Sequence, residues 1–204
     1  MQIKTIAVIG AGTMGRGIAY AAALGGYNTV LEDVSDSMLA KATACIRESF
    51  DEGVRLGQFD PATRDAALLR ITTSQVVDEA IRDAELIIEA VPDELEMKLE
   101  LFTIFDKFAK PNAIFAGVTS SLSISDFSDI VIHRERCIGM RFFNTSPKMK
   151  LVEIIRTPQT SDETVAACVE VAARMGKEAV IVNEASGLIT SPINTSPNGP
   201  TSKM

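Results

Sequence analysis

Short apolar runs alternate with amphipathic stretches along most of this chain. Residues 5–10 form a β-branched run that ends in glycines, and residues 14–25 are small and apolar, as suits a helix packed closely on a sheet. Residues 28–32 read as a second strand. Residues 35–56 have the period of an amphipathic helix, with Ser35 placed as its N-cap. A short strand is predicted at 71–73. Residues 85–91 are an apolar run broken only by Glu85 and Glu89, as expected of a strand covered on both faces. Over 95–108 the spacing is helical and puts Leu95, Leu99, Phe102 and Phe105 on one side. Residues 113–118, 137–143, 151–155 and 178–182 complete the predicted strands. Before the last of these, a helix is predicted to start at Thr160 and run to about Met175, with Glu163 completing a capping box. Alternation at this density predicts an α/β fold, a doubly wound, mostly parallel sheet with helices on both faces. The end differs: residues 191–204 read SPINTSPNGPTSKM, with three prolines and no apolar period, and are expected to be a disordered tail.

Composition narrows the function classes. The net charge of −7 excludes a surface built for nucleic acid, which needs a basic face. No apolar run approaches the ~18 residues of a membrane helix, and the strand pattern begins too early to leave room for a secretory leader. Cys45, Cys137 and Cys168 are odd in number and far apart, so buried free thiols in a reducing cytoplasm are expected, with no metal site. The single histidine, His133, lies in a charged run and reads as a surface loop residue.

Gly10-x-Gly12-x-x-Gly15 follows the first predicted strand and opens the first predicted helix, the context that gives such a string meaning. Gly10 allows the tight turn, Gly12 lets the backbone approach a diphosphate, and Gly15 lets the helix pack on the strand. Thr13 and Met14 lie at the helix start, where free N–H groups and the macrodipole favour negative charge. Asp33 closes the second strand, where an acid accepts hydrogen bonds from the adenosine ribose and repels a 2′-phosphate. A Rossmann-type domain with NAD as cofactor is therefore expected over 1–183, with 184–204 outside it.

The opening IAVIGAGTMG, the run Gly139-Met140-Arg141-Phe142-Phe143-Asn144 and the later Met149-Lys150-Leu151-Val152-Glu153 together resemble the NAD-dependent 3-hydroxyacyl-CoA dehydrogenases. The resemblance extends from about residue 3 to 193 and corresponds to the first two-thirds of a family member. It implies interconversion of L-3-hydroxyacyl-CoA and 3-ketoacyl-CoA. It also implies cofactor contacts from Ala90, Asp93 and Lys98, although the family usually has glutamate where Asp93 stands. Lys98 reads alternatively as a solvated helix charge. Thr119-Ser120-Ser121-Leu122 is similar to the family's Asn-Thr-Ser-Ser-Leu, with Val118 in place of the asparagine. The resemblance assigns Ser120 to the substrate, whereas the bare pattern equally allows these serines to cap the next helix.

Before Phe-Phe-Asn the family has a catalytic histidine, oriented by a glutamate twelve residues on. Here that position is Arg141, while Glu153 and the cofactor- and substrate-facing Asn144 remain. Arginine stays protonated and cannot serve as a base, so impaired chemistry is expected. Arg141 and Glu153 form either a structural ion pair or part of an anion site. Residues 184–192 resemble the family's Asp-x-Pro-Gly-Phe-x-x-Asn-Arg, with Ser191 and Pro192 at the last two positions, and the helical domain that follows in the family is expected to be missing. The family's lysine-rich stretch after the second helix is mostly acidic here, leaving Arg47 and Arg55 as the obvious cations for CoA.

Two further readings stand beside the acyl-CoA dehydrogenase. One is a non-catalytic NAD(H)-binding module or degenerate paralogue, forming a homo-oligomer or pairing with a complete dehydrogenase subunit. The mean hydropathy of +0.16 suits a former inter-domain face. The other is a dehydrogenase of a small 3-hydroxy or sugar acid.

Overall fold

The computed structural model describes residues 2–143 and 150–184. Its eight strands are β1 (Thr5–Ile9), β2 (Asn28–Glu32), β3 (Ile71–Ser74), β4 (Leu86–Glu89), β5 (Ile114–Gly117), β6 (Cys137–Phe142), β7 (Leu151–Arg156) and β8 (Glu178–Asn183). They form one sheet in the order β3-β2-β1-β4-β5-β6-β7-β8. Every neighbouring pair is parallel except β6 and β7. The sheet is thus mostly parallel and doubly wound. Its order reverses between β1 and β4, the place where such sheets open a crevice for ligands.

Seven helices cover the sheet: α1 (Thr13–Leu24), α2 (Asp36–Arg55), α3 (Pro61–Leu68), α4 (Val77–Ile81), α5 (Leu95–Phe108), α6 (Ile124–Ser128) and α7 (Asp162–Arg174). Side chains of a strand point alternately to its two faces. Ile6 and Val8 therefore join the core under α1, α2, α3 and α7, while Ala7 and Ile9 join the core under α4, α5 and α6. Burial on both faces is why β4 reads as apolar up to Glu89 and β5 throughout.

Most predicted boundaries lie within two residues of the observed ones, and Ser35 caps α2 by accepting from Met38 N at 3.3 Å. The start of α7 differs. Ser161 is its N-cap and accepts from Thr164 N at 3.1 Å. Thr160 is buried instead, because its hydroxyl donates to Cys137 O at 2.7 Å and ties the helix approach to β6. The expected capping box with Glu163 is consequently not formed. Helices α3 and α4 appear where the apolar pattern predicts none. Both are short, and α3 is held by Asp60, which accepts from Thr63 N at 2.7 Å, with Pro61 in its first turn. Cys137 and Cys168 are buried free thiols, burial pushing both up to about 12, whereas Cys45 is only half-buried. His133 is exposed beside Glu135. The residues expected to form the tail, like Asn144, Ser191 and Pro192, lie outside the described residues.

Candidate functional site

At the crevice between β1 and β4 the three glycines do three separate things. Gly10 takes φ +99°, and a Cβ there would sit 2.9 Å from Ala90 O. It serves the turn and the close passage of the strand after β4, where Ala90 N donates to Ile9 O at 2.8 Å. Gly15 lies against the turn itself, since its Cβ would be 1.7 Å from Gly10 O. Gly12, the N-cap of α1, has nothing within 4 Å of a Cβ. Its absent side chain therefore leaves room on the outside, just where the first-turn N–H groups of Thr13 and Met14 are free for an anion. Asp33 joins this turn to the head of α2, with Oδ2 accepting from Ala11 N and Oδ1 from Ser35 N, both at 2.9 Å. A carboxylate oxygen has lone pairs to spare for ribose hydroxyls. These residues fit a dinucleotide.

Glu32, one residue earlier, was invisible as a site residue. Its backbone O accepts from Gly10 N at 2.8 Å, while its side chain is buried and Oε1 has no hydrogen-bond partner among the described residues. Burial, and secondarily the neighbouring Asp33, raise this carboxyl to about 7.

Past β4 the chain builds a charged knot. Lys98 is fully buried, not solvated, and its ammonium donates to Glu89 Oε2 at 2.6 Å and to Val118 O at 2.9 Å, with Asp93 Oδ1 at 3.7 Å. Burial pushes the Glu89 carboxyl above its ordinary value, and Lys98 pulls against that shift. Glu89 had no role in the sequence reading, since a strand-ending acid gives no sign of a partner nine residues on. Asp93 Oδ2 accepts from Ser120 N (3.0 Å) and Oγ (3.1 Å) and from Ser121 N (3.1 Å) and Oγ (2.8 Å). Burial opposes its charge, but the hydrogen bonds from Thr119, Ser120 and Ser121 and the charge of Lys98 outweigh it, holding the carboxyl at about 2. The short acid thus clasps the loop after β5, and the Ser120 hydroxyl points to Asp93.

Arg141 stands opposite Glu153 in the β6–β7 register. Its Nη1 meets Glu153 Oε2 at 3.2 Å and its Nε donates to Thr119 O, also at 3.2 Å. The twelve-residue spacing is therefore the geometry of an antiparallel pair. Nη2 is shielded from solvent and has no hydrogen-bond partner among the described residues. Ser120, Asp93, Lys98, Arg141 and Glu153 gather at one end of β4–β7, linked through the Thr119 loop. Gly10, Gly12, Thr13, Met14, Gly15 and Asp33 gather beside them at β1 and β2, and Ala90 lies between. Beyond them, Glu184 accepts from Ser123 Oγ at 2.7 Å and Ser125 N at 3.1 Å, tying the end of β8 to the head of α6. Among the described residues no cluster of acids, cysteines or histidines could hold a metal ion, and no helix is long and apolar enough to cross a membrane.

Strand order, glycine turn and the acid after β2 define a dinucleotide-binding domain of the doubly wound class. Residues 5–185 match the family model described as 3-hydroxyacyl-CoA dehydrogenase, NAD binding domain, and the chain belongs to that family; the cofactor of this domain is NAD. The mitochondrial hydroxyacyl-coenzyme A dehydrogenase of Homo sapiens is 38% identical over 196 residues, covering 92% of this chain and 61% of the relative. A probable 3-hydroxybutyryl-CoA dehydrogenase of Bacillus subtilis is 36% identical, covering 93% of this chain and 66% of its own length. The solved (S)-3-hydroxybutyryl-CoA dehydrogenase of Ralstonia eutropha superposes with a TM-score of 0.87 at 36% identity, over 93% of this chain and 66% of that one. The chain thus spans less than two-thirds of the length of these relatives.

Proposed function

We propose that this chain is an NAD(H)-binding unit of the 3-hydroxyacyl-CoA dehydrogenase type in which oxidation of the 3-hydroxyl is strongly impaired. The observation that carries this reading is the pairing of Arg141 with Glu153. The strand register holds a side chain where the family resemblance puts the base, and the acid that would orient a histidine instead neutralises a guanidinium. NAD, when bound, supplies the hydride acceptor. Gly12 and the start of α1 receive its diphosphate, Asp33 its ribose, and Ala90 and the Asp93 clasp line the reacting end. Buried Lys98 acts by positioning Glu89, Asp93 and the Val118 carbonyl. Ser120 and Asn144 are left to orient the reacting group, but nothing at Arg141 can take its proton, because a guanidinium does not titrate in this range. Residues 1–183 make up the nucleotide unit, and the buried free thiols suit a reducing compartment such as the cytoplasm.

A second reading, a non-catalytic subunit that pairs with a complete dehydrogenase or with itself, is favoured by Val180 and Ile181. These lie 47% and 54% exposed on β8, an edge strand of the sheet.

Following NADH absorbance after addition of acetoacetyl-CoA, beside NADH fluorescence on binding, tests the proposal. NADH binds, and turnover rises about 10²–10⁴-fold in Arg141→His, the range a general base contributes. Measurable wild-type turnover equal to that of the variant overturns the assignment of the defect to Arg141. A flat trace from both, with NADH bound, favours the non-catalytic subunit.

A further inference from the structure

The sheet has two outer edges. β3 closes one with the polar run Thr72-Thr73-Ser74, and β8 closes the other with Ala179-Val180-Ile181-Val182. β8 keeps unbroken register with β7 over all six of its residues. It carries no proline, bulge or central charge, the devices by which edge strands discourage pairing. Side chains alternate along it, so Val180 lies on the face of Glu153 and Ile181 on the face of Ile154, and both are about half exposed. Neither face of this edge is fully covered among the described residues.

The backbone is as open as the side chains. Glu178 N donates to Lys150 O at 2.6 Å and Glu184 N to Arg156 O at 2.8 Å, so the even-numbered residues turn their hydrogen-bonding groups toward β7. Ala179, Ile181 and Asn183 therefore present N–H and C=O outward. On α7, Arg174 stacks over the Tyr27 ring at 4.1 Å, which turns that flank of the helix toward β2. The opposite flank, on the β8 side, carries the apolar Val165 and Val169.

We infer that β8 is an interface for a second copy of this chain, which pairs with it antiparallel about a two-fold axis at Val180. A two-fold axis perpendicular to the sheet supplies a strand of opposite direction from an identical chain. Such an axis keeps the two faces in common, so residues of equal parity stand opposite each other. Val180 then meets Val180 of the second copy, and Ala179 exchanges both backbone hydrogen bonds with Ile181 of the second copy. Glu178 faces Val182 and Lys177 faces Asn183, so no like charges meet. Centring on Ile181 instead would set Glu178 against Glu184. This pairing rests on the second reading of the function, a unit that associates with itself, and does not depend on turnover.

Sedimentation equilibrium of the full chain, with NADH titrated in parallel, tests it. A pairing this small gives a dimer with a dissociation constant of about 1–100 μM. Val180→Lys raises that constant at least about tenfold, because two ammonium groups then stand face to face, while circular dichroism and NADH affinity stay as in the wild type. A second measurement does not depend on affinity. In a Cys45→Ser chain, mild oxidation joins two copies of Val180→Cys, since directly opposite residues of this kind have Cα atoms about 4.5 Å apart. Ile181→Cys, whose counterpart is Ala179, does not cross-link. A wild-type monomer up to about 1 mM overturns the proposal, whatever else covers the edge. So does a dimer indifferent to Val180→Lys, or cross-linking of Ile181→Cys as readily as of Val180→Cys. A monomer that still binds NADH sinks the interface alone and leaves the nucleotide-binding proposal standing.

Discussion

The two halves of this sheet have met different demands. Around β1 and β2 each residue fits the demand of its position: Gly10 turns, Gly12 clears space, Gly15 admits the helix and Asp33 ties the turn to α2. Around β5–β7 the scaffold is equally orderly, with Arg141 in register with Glu153 and Asp93 clasping the Thr119 loop. Yet the residue where the family resemblance puts the base is one that cannot accept a proton. Backbone geometry and side-chain chemistry are thus separable. A strand pairing preserves where a side chain stands, and says nothing of what that side chain can do.

Substitutions that strike packing or chemistry alone sharpen this comparison. The largest effect is expected from Gly15→Ala, whose Cβ would overlap Gly10 O. Backbone is the obstacle, so destabilisation of about 4 kcal/mol or more is expected, with loss of cooperative unfolding by circular dichroism. Lys98→Met comes next. It leaves Glu89 buried without its cation, at a cost of about 3–5 kcal/mol read from denaturant midpoints. A cost under 1 kcal/mol would show that Glu89 does not depend on this partner.

Glu32→Gln has a smaller effect whose sign depends on pH. The folded state holds the Glu32 proton more tightly than the unfolded chain does, since burial raises the group to about 7. Wild-type stability therefore declines as pH rises from the ordinary carboxylate range through about 7, then levels. Glutamine removes that slope, so the variant gains on wild type between about pH 4.5 and pH 8, by about 1–3 kcal/mol. A difference between the two proteins that is the same at both pH values would rule this out. Gly12→Ala is the mildest for the fold, within about 0.5 kcal/mol, because its Cβ meets no protein atom. It nevertheless weakens NADH at least about tenfold by fluorescence titration, since that space is where the diphosphate approaches. Tight NADH binding by this variant would move the diphosphate elsewhere.

Fold and nucleotide turn could be read from the chain because both rest on local patterns: two-residue alternation, helical period and glycine spacing. Helix α4 is too short for periodicity to register, and α3 announced itself only through Asp60-Pro61, a cap signal without an apolar stripe. Ser161 and Thr160 are adjacent hydroxyl residues, and only the tie from Thr160 to Cys137 O, across 23 residues, decides which one caps α7. Lys98 falls on the helix face that holds Phe102 and Phe105, and its burial depends on a carboxylate from β4 and a carbonyl from the end of β5. Such partners come from distant segments, so no window of sequence contains them. The same holds for Glu32, whose unpartnered oxygen is a property of what surrounds it.

The place of β1 inside the sheet has a consequence for how the chain is made. Its apolar sequence TIAVI is flanked by β2, which follows soon after it, and by β4, which begins only at Leu86. The Glu85 carboxylate that accepts from Lys4 N and Thr5 N emerges equally late. On the ribosome, β1, β2 and β3 can meet first, with one edge of β1 left bare until β4 arrives. A bare apolar edge is a template for pairing with other chains. A strand that ends up paired on both sides is thus exposed to aggregation at birth, and slowing synthesis between β3 and β4 should lengthen that hazard.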